Sequence, residues 1–232
     1  MGSPPPKPMD SGPVQVADSF HTQRIAMVEL QLRARGIRDP RVLAAMERVP
    51  RHEFLGPEFQ REAYEDRPLP IGQGQTVSQP YIVAAMLEAL ELRPADRVLD
   101  VGTGSGYQTA LLAELAAKVY SIERHAALAQ RARRTLERLG WAGVTILVGD
   151  GTEGLASAAP FDAVLVSAAA PKLPPPLLEQ LAEGGRMIIP VGFSEGQDLE
   201  LVRKQQGQPL ITRLDACRFV PLIGREGFPS GW

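Results

Sequence analysis

Three carboxylates and three glycines fall where a cationic ligand would need them. Residues 98–106 read VLDVGTGSG: a β-branched run, an acid at Asp100, and glycines at Gly102, Gly104 and Gly106. Glycine accepts positive φ and lets a ligand lie against bare backbone. The helix that must follow begins with N–H groups lacking intrahelical partners and with a partial positive charge. The spacing departs from the dinucleotide fingerprint G-x-G-x-x-G, because Tyr107 stands where its third glycine would fall. An acid two residues before the first glycine would repel a pyrophosphate and welcome an ammonium. S-adenosyl-L-methionine carries an ammonium and a positive sulfur, and this pattern points to it. The competing reading is a tight strand-to-helix turn with no ligand. Against it, three glycines cost backbone entropy that a packing turn seldom requires.

Two further acids follow the same logic. Glu123 ends the next β-rich run, KVYSIE, and Asp150 ends the one after, VTILVGD, just before Gly151. In doubly wound folds ligands lie beyond the carboxyl ends of the strands, where an acid can accept both ribose hydroxyls. Glu123 is placed in that role and Asp150 at the adenine amino group. Taken alone, Glu123 reads better as a surface partner of Arg124, and Asp150 equally well as an ordinary Asp-Gly turn. The coincidence of three acids at three successive strand tips is what favours a binding site.

The elements that must hold these residues alternate from position 97 onward. Strands are expected at RVLDV, KVYSIE, VTILVGD, FDAVLVSAA and RMIIPVG, with helices at YQTALLAELA, RHAALAQRARRTLERLG and PPPLLEQLAEGG between them. Such alternation implies right-handed crossovers and a parallel sheet covered on both faces. DLELVRKQQ and PLITRLDACRFVPL are expected to add an antiparallel hairpin at one edge. Upstream, residues 19–50 carry helical spacing at Ile25, Val28 and Leu32 and at Ala26 and Leu30, with Gly36 as a terminator; Asp39 is expected to cap a second helix begun by Pro40. Residues 51–80 show no period and are expected to be irregular, and a stretch that long is more often functional than idle. A helix is expected at 81–91. Residues 1–18, rich in Pro, Gly, Ser and Asp, are expected to be a mobile leader. The remainder, 19–232, is expected to form a single domain: 19–91 as an N-terminal helical and covering segment, 97–222 as the core.

Composition sets bounds. The chain has 232 residues, 44% of them hydrophobic, enough for one sizeable domain. With 22% charged residues and a net charge of −2 it is no disordered polyelectrolyte, and it lacks the basic excess of a general nucleic-acid coat. No apolar run reaches the roughly 18 residues of a membrane helix. The start has no apolar core to act as a signal peptide. Cys217 is the one cysteine, so no intramolecular disulfide forms; it is expected to be a buried, inert thiol.

The segment LPIGQGQTVSQP (69–80) together with VLDVGTGSGY resembles the protein-L-isoaspartate O-methyltransferases, class I S-adenosyl-L-methionine-dependent enzymes. PRHEF (50–54), GDGTEG (149–154), APFDAVLVSAAAP (159–171), LAEGGRMIIPVG (181–192) and RFVPL (218–222) share the likeness, which spans about residues 20–228. The resemblance implies an α/β, doubly wound Rossmann-like sheet, mostly parallel with an antiparallel edge, helices on both faces and an N-terminal helical/irregular extension. It implies protein repair: methylation of the free α-carboxylate of an L-isoaspartyl residue, after which the ester collapses unaided to a succinimide and water partly restores Asp. It implies that Ser78 is the active-site serine. It places Thr76, Val77, Ser78, Asp100, Gly102, Gly104, Glu123, Asp150 and Gly151 around the cofactor. Val77 stands where Ile is common and Ser167 where Thr is common; both keep size or hydroxyl character.

The chemistry agrees from below. A carboxylate with a reference pKa near 3.5–4 is already an anion at pH 7, so no general base is needed. None of His21, His52 and His125 lies in either motif. Catalysis then rests on positioning and electrostatics. Ser78 is expected to hydrogen-bond the substrate carboxylate and orient one oxygen; its plainer reading is the N-cap of the helix from 81. Arg51 and His52 either help hold substrate or simply pack beside Glu53 and Phe54. Isoaspartyl proteins and peptides are the expected partners of a cytoplasmic monomer that uses no metal and binds neither nucleic acid nor membrane. The alternatives are a methyltransferase for another carboxylate or small molecule, and a non-catalytic isoaspartyl-binding adaptor.

Overall fold

The computed structural model describes residues 13–231. Residues 1–12 of the expected leader lie outside the described residues, and residues 13–18 form the start of a helix, α1 (Pro13–Met27). From Val28 to Leu32 the helix widens into a π-type turn, which buries Val28 and Leu32 of the first spaced set but leaves Leu30 of the second facing solvent. Gly36 ends this segment at φ 102°, a left-handed position that favours glycine.

Asp39 caps α2 (Pro40–Arg48) as expected, accepting from the Arg41 N–H. Residues 51–80 are less irregular than their sequence suggests. Two short 3-10 turns, Arg51–Phe54 and Pro57–Glu62, precede a hairpin of β1 (Leu69–Gly72) and β2 (Gln75–Val77). Strands of four and three residues are too short to display a period. The hairpin is fixed to the core by Arg131, which donates to the Ile71 carbonyl. Helix α3 (Pro80–Ala89) follows directly.

The main sheet contains β3 (Arg97–Val101), β4 (Lys118–Glu123), β5 (Thr145–Val148), β6 (Phe161–Val166), β7 (Leu181–Phe193), β8 (Gly196–Gln205) and β9 (Gln208–Cys217). Its order is β5-β4-β3-β6-β7-β8-β9. The first five run parallel; β8 and β9 are antiparallel, forming the predicted edge. Helices α4 (Tyr107–Leu115), α5 (Ala126–Arg138) and α6 (Pro175–Glu179) make the crossovers. Helix α6 is shorter than expected because Leu181 already pairs with Phe161, so LAEGG belongs to a bulged start of β7.

Period-2 alternation divides the core. Val98, Ala163, Leu165 and Ile188 face one side with α3 and α4; Leu99, Val101, Val164, Val166, Met187 and Ile189 face the other. Strand order reverses beside β3, which has β4 on one side and β6 on the other. That is the topological switch point where such sheets open a crevice.

Candidate functional site

A crevice opens at the switch point. It encloses about 780 Å³, open solvent at its mouth included. Its floor is the 102–106 loop between β3 and α4. Gly102, Gly104 and Gly106 take φ values of 100°, 54° and 91°, as the motif requires. Side chains here would close the floor. A Cβ on Gly102 would lie 3.4 Å from the Ser167 Cβ, and one on Gly104 3.2 Å from the Ile71 Cδ1. Gly151 also lines the crevice, and a Cβ there would collide with Val101 at 2.5 Å. The hairpin forms one wall, with Thr76, Val77 and then Ser78, and residues 220–223 form another. That last wall is tied in by two bonds, Ala169 N–H to the Val220 carbonyl and Leu222 N–H to the Ala169 carbonyl, each 2.8 Å.

Glu123 stands where the sequence places it. It lines the crevice at 5% exposure, one carboxylate oxygen accepting the Gly104 N–H (2.9 Å) and the other the His125 N–H (2.8 Å). Each oxygen keeps a second lone pair, so the fixed carboxylate can accept two hydroxyls of a diol. It forms no ion pair with Arg124 among the described residues.

Asp100 does not reach the crevice, contrary to expectation. Strand alternation turns it under α4 together with Val98, fully buried, where it accepts from Thr109 Oγ1 (2.6 Å), Ser121 Oγ (2.9 Å) and, at 3.5 Å, Gln108 Nε2. Burial pushes its pKa above the usual carboxylate range, against the pull of those hydrogen bonds. Its work is to fasten the start of α4 to β3 and β4.

Asp150 also stands outside the lining. Its Oδ1 accepts both the backbone N–H (2.9 Å) and hydroxyl (2.7 Å) of Thr152, capping a 3-10 turn, and its Oδ2 accepts the Arg225 N–H (2.7 Å). Partial burial would raise its pKa, but the bonds from Arg225 and Thr152 outweigh it and hold the carboxyl below its usual range. The Asp-Gly turn is thus the geometry observed. These bonds hold the carboxylate at the rim of the crevice, next to the lining residue Gly151.

A second cavity adjoins the first. Thr76, Ser78, Ser167 and Val220 belong to both; Pro68, Gln79, Ile82 and residues 216–219 complete it. Ser78 is therefore on the partition. It is not the helix cap: Gln79 occupies that position, and among the described residues the Ser78 hydroxyl has no hydrogen-bond partner. Its backbone is held instead. The fully buried Arg51 donates Nη2 to the Ser78 carbonyl (2.7 Å) and Nε to the Ala63 carbonyl (2.8 Å), and its guanidinium lies 4.8 Å from the Tyr107 ring centre. Desolvation lowers the Arg51 pKa, yet an arginine stays charged. Arg51 thus joins the Ser78 loop to the first residue of α4. His52 packs elsewhere, stacked on Phe20 with ring centres 4.2 Å apart. Cys217 lines the second cavity half-buried, and burial pushes its thiol up to about 11, which keeps it a poor nucleophile at neutral pH.

Ser167 and Gln108 were missed as site residues, and Arg51, weighed as a substrate holder, instead anchors the Ser78 loop. Ser167 had a signal: it follows FDAVLV as Gly102 follows RVLDV, and the pairing of Val101 with Val166 brings both tips level.

Comparison with known proteins adds the following. The family model described as Protein-L-isoaspartate(D-aspartate) O-methyltransferase (PCMT) matches residues 22–227. A protein-L-isoaspartate O-methyltransferase of Koribacter versatilis is 59% identical over 209 residues, covering 90% of this chain and 94% of its own length. One from Methanoculleus marisnigri is 57% identical over 212 residues, covering 91% and 96%. A Plasmodium falciparum chain crystallised in complex with S-adenosyl-L-homocysteine superposes with a TM-score of 0.77 at 29% identity, over 86% of this chain and 98% of that one.

Proposed function

This chain belongs to the protein-L-isoaspartate O-methyltransferase family, and from that premise we propose how its own residues carry the reaction. The activity is protein repair. A methyl group passes from S-adenosyl-L-methionine to the α-carboxylate of an L-isoaspartyl residue, giving the methyl ester and S-adenosyl-L-homocysteine. When bound, the cofactor supplies a methyl group on a positively charged sulfur.

The residues present fit that group. The glycine floor at 102 and 104 leaves main chain bare, Gly151 admits no side chain, and Glu123 offers two oriented acceptor oxygens to the ribose diol. Thr76 and Val77 flank the same space. Asp100 supports the floor from beneath. Asp150, through its cap, sets the path of Gly151. The single observation that carries the reading is the shared partition: Ser78 faces both the glycine crevice and the neighbouring cavity. A carboxylate entering through the second cavity meets the donor space at Ser78. The hydroxyl, unclaimed by the protein, donates to one carboxylate oxygen and leaves the other with a lone pair free to react. Alignment of this kind can contribute about 7–11 kcal/mol to the barrier reduction.

We place the enzyme in the cytoplasm as a monomer, with isoaspartyl proteins and peptides as its partners and no nucleic acid or membrane. Support comes from the single cysteine, the net charge of −2, and the absence among the described residues of any helix long and apolar enough to cross a membrane. The division into a covering segment (19–91) and a core (97–222) is supported by the way β1, β2 and Ser78 cap the crevice from outside the main sheet.

The test is labelled-methyl transfer to paired peptides. An isoaspartyl peptide should accept methyl and its aspartyl twin should not. Transfer to both, or calorimetric binding of the isoaspartyl peptide with no ester formed, would overturn the reading in favour of a broader carboxylate methyltransferase or an adaptor.

A further inference from the structure

Ser167 stands at the tip of β6, half-buried on the wall common to both cavities and directly across from Gly102. Its backbone is fixed by the bond from its N–H to the Val101 carbonyl, 2.9 Å. Its side chain is fixed by Gln108, whose Nε2 donates to Ser167 Oγ at 2.5 Å. The same amide nitrogen faces Asp100 Oδ1 at 3.5 Å. With acceptors on two sides, the nitrogen end of the amide is the end that points there. The consequence is directional. An oxygen that accepts from Gln108 keeps its own proton, and no acceptor for that proton exists among the described residues. The Ser167 hydroxyl is left to donate into the cavities, as Ser78 is from the other side of the partition.

We propose that Ser167 is a second substrate-binding donor, pairing with Ser78 to hold the α-carboxylate of the isoaspartyl residue, and that Gln108 is the positioning residue that orients it. This rests on the function proposed above and adds the basis of its selectivity. Two fixed hydroxyls define where a carboxylate must sit. In an isoaspartyl residue the carboxylate is attached directly to the chain carbon bearing nitrogen. In a normal aspartyl residue one methylene intervenes, displacing the carboxylate by about one C–C bond, 1.5 Å. A 1 Å misplacement can cost on the order of 10²-fold in rate. One donor alone would let the carboxylate pivot and recover part of that loss. Two neutral hydroxyls also hold the anion without neutralising it, as a paired arginine would.

The test compares wild type, Ser167→Ala and Ser167→Thr in three measurements. These are transfer kinetics on paired isoaspartyl and aspartyl peptides, calorimetric affinity for S-adenosyl-L-homocysteine, and calorimetric affinity for the isoaspartyl peptide with S-adenosyl-L-homocysteine present. For Ser167→Ala we expect kcat/KM on the isoaspartyl peptide to fall about 10- to 100-fold, the range for a hydrogen bond to a charged group. Peptide affinity should weaken, affinity for S-adenosyl-L-homocysteine should stay within about 3-fold, and the preference for isoaspartyl over aspartyl peptide should narrow. Ser167→Thr, which keeps the hydroxyl, should restore both transfer and peptide affinity. Unchanged peptide kinetics in Ser167→Ala, or a loss of S-adenosyl-L-homocysteine affinity equal to the loss in kcat/KM, would overturn the assignment while leaving the enzyme's function standing. Failure of the wild type to methylate the isoaspartyl peptide would overturn both.

Discussion

Ser78 has a hydroxyl that the protein leaves unused and a carbonyl that the protein holds firmly, so its side chain is free while its position is not. The Ser78→Ala variant should lower kcat on isoaspartyl peptides about 10- to 100-fold, the cost of one hydrogen bond to an anion. Its affinity for S-adenosyl-L-homocysteine should stay near wild type; steady-state kinetics and calorimetry separate the two. Loss of cofactor affinity at unchanged kcat would move Ser78 to the donor's side of the partition. At this scale the sequence was informative about residue types and less so about directions. Glu123 was legible because it ends a strand, and its carboxylate accepts the Gly104 N–H of the glycine loop. Asp100 misled because proximity in sequence to the glycines says nothing about which face of β3 a side chain takes; alternation turns it inward. Ser78 looked like a helix cap, yet Pro80 begins α3 one residue too late for that.

The covering hairpin and the core helix α4 are separate elements that meet through Arg51. Its guanidinium bonds the carbonyls of Ser78 and Ala63 and sits against the Tyr107 ring. Replacing it with Met would keep much of the volume but strand two carbonyls, costing on the order of 2–4 kcal/mol. Urea unfolding should show that loss, and kcat should fall at least about 10-fold, because the Ser78 carbonyl loses its anchor. Arg51→Lys, able to reach one carbonyl, should lie between. Unimpaired kcat in a destabilised Arg51→Met protein would show that Arg51 supports the fold alone. No pattern in 51–80 revealed this arrangement, since its strands are too short for a period and its key contact joins residues far apart in sequence. The main sheet, by contrast, was legible in its order of strands and helices, because β-branched runs alternate with helical ones; its last strand, expected to run to Leu222, ends at Cys217. The start of β7 was hidden because the glycines of LAEGG resemble a helix terminus.

At the scale of the whole molecule, a mixed polar and aromatic cluster joins α1 to residues 52–64, with Arg138 of α5 tied to it through Glu53. His52 stacks on Phe20, its Nδ1 lies 2.7 Å from the Tyr64 hydroxyl, and Glu53, Arg24 and Arg138 surround it. Burial lowers the His52 pKa, aided by Arg24 and Arg138 and opposed by Glu53. Below the unfolded value of about 6.5 the unfolded chain therefore binds more protons at this site. Stability is lost as pH falls from about 6.5 through the lower folded value, and is unaffected by this group above 6.5. Denaturant midpoints should drop more between pH 7.5 and 5.5 in wild type than in His52→Asn; equal drops would remove His52 from the account.

The whole arrangement amounts to one claim: two cavities share a partition at Ser78, with the methyl donor on one side and the damaged residue on the other. A crystal structure with S-adenosyl-L-homocysteine and an isoaspartyl peptide bound together tests it most directly. The ribose diol should lie on Glu123, the adenosyl group along the 102–104 backbone, and the peptide's α-carboxylate within hydrogen-bonding distance of the Ser78 hydroxyl. Both ligands in a single cavity, or a peptide carboxylate held away from Ser78, would contradict it.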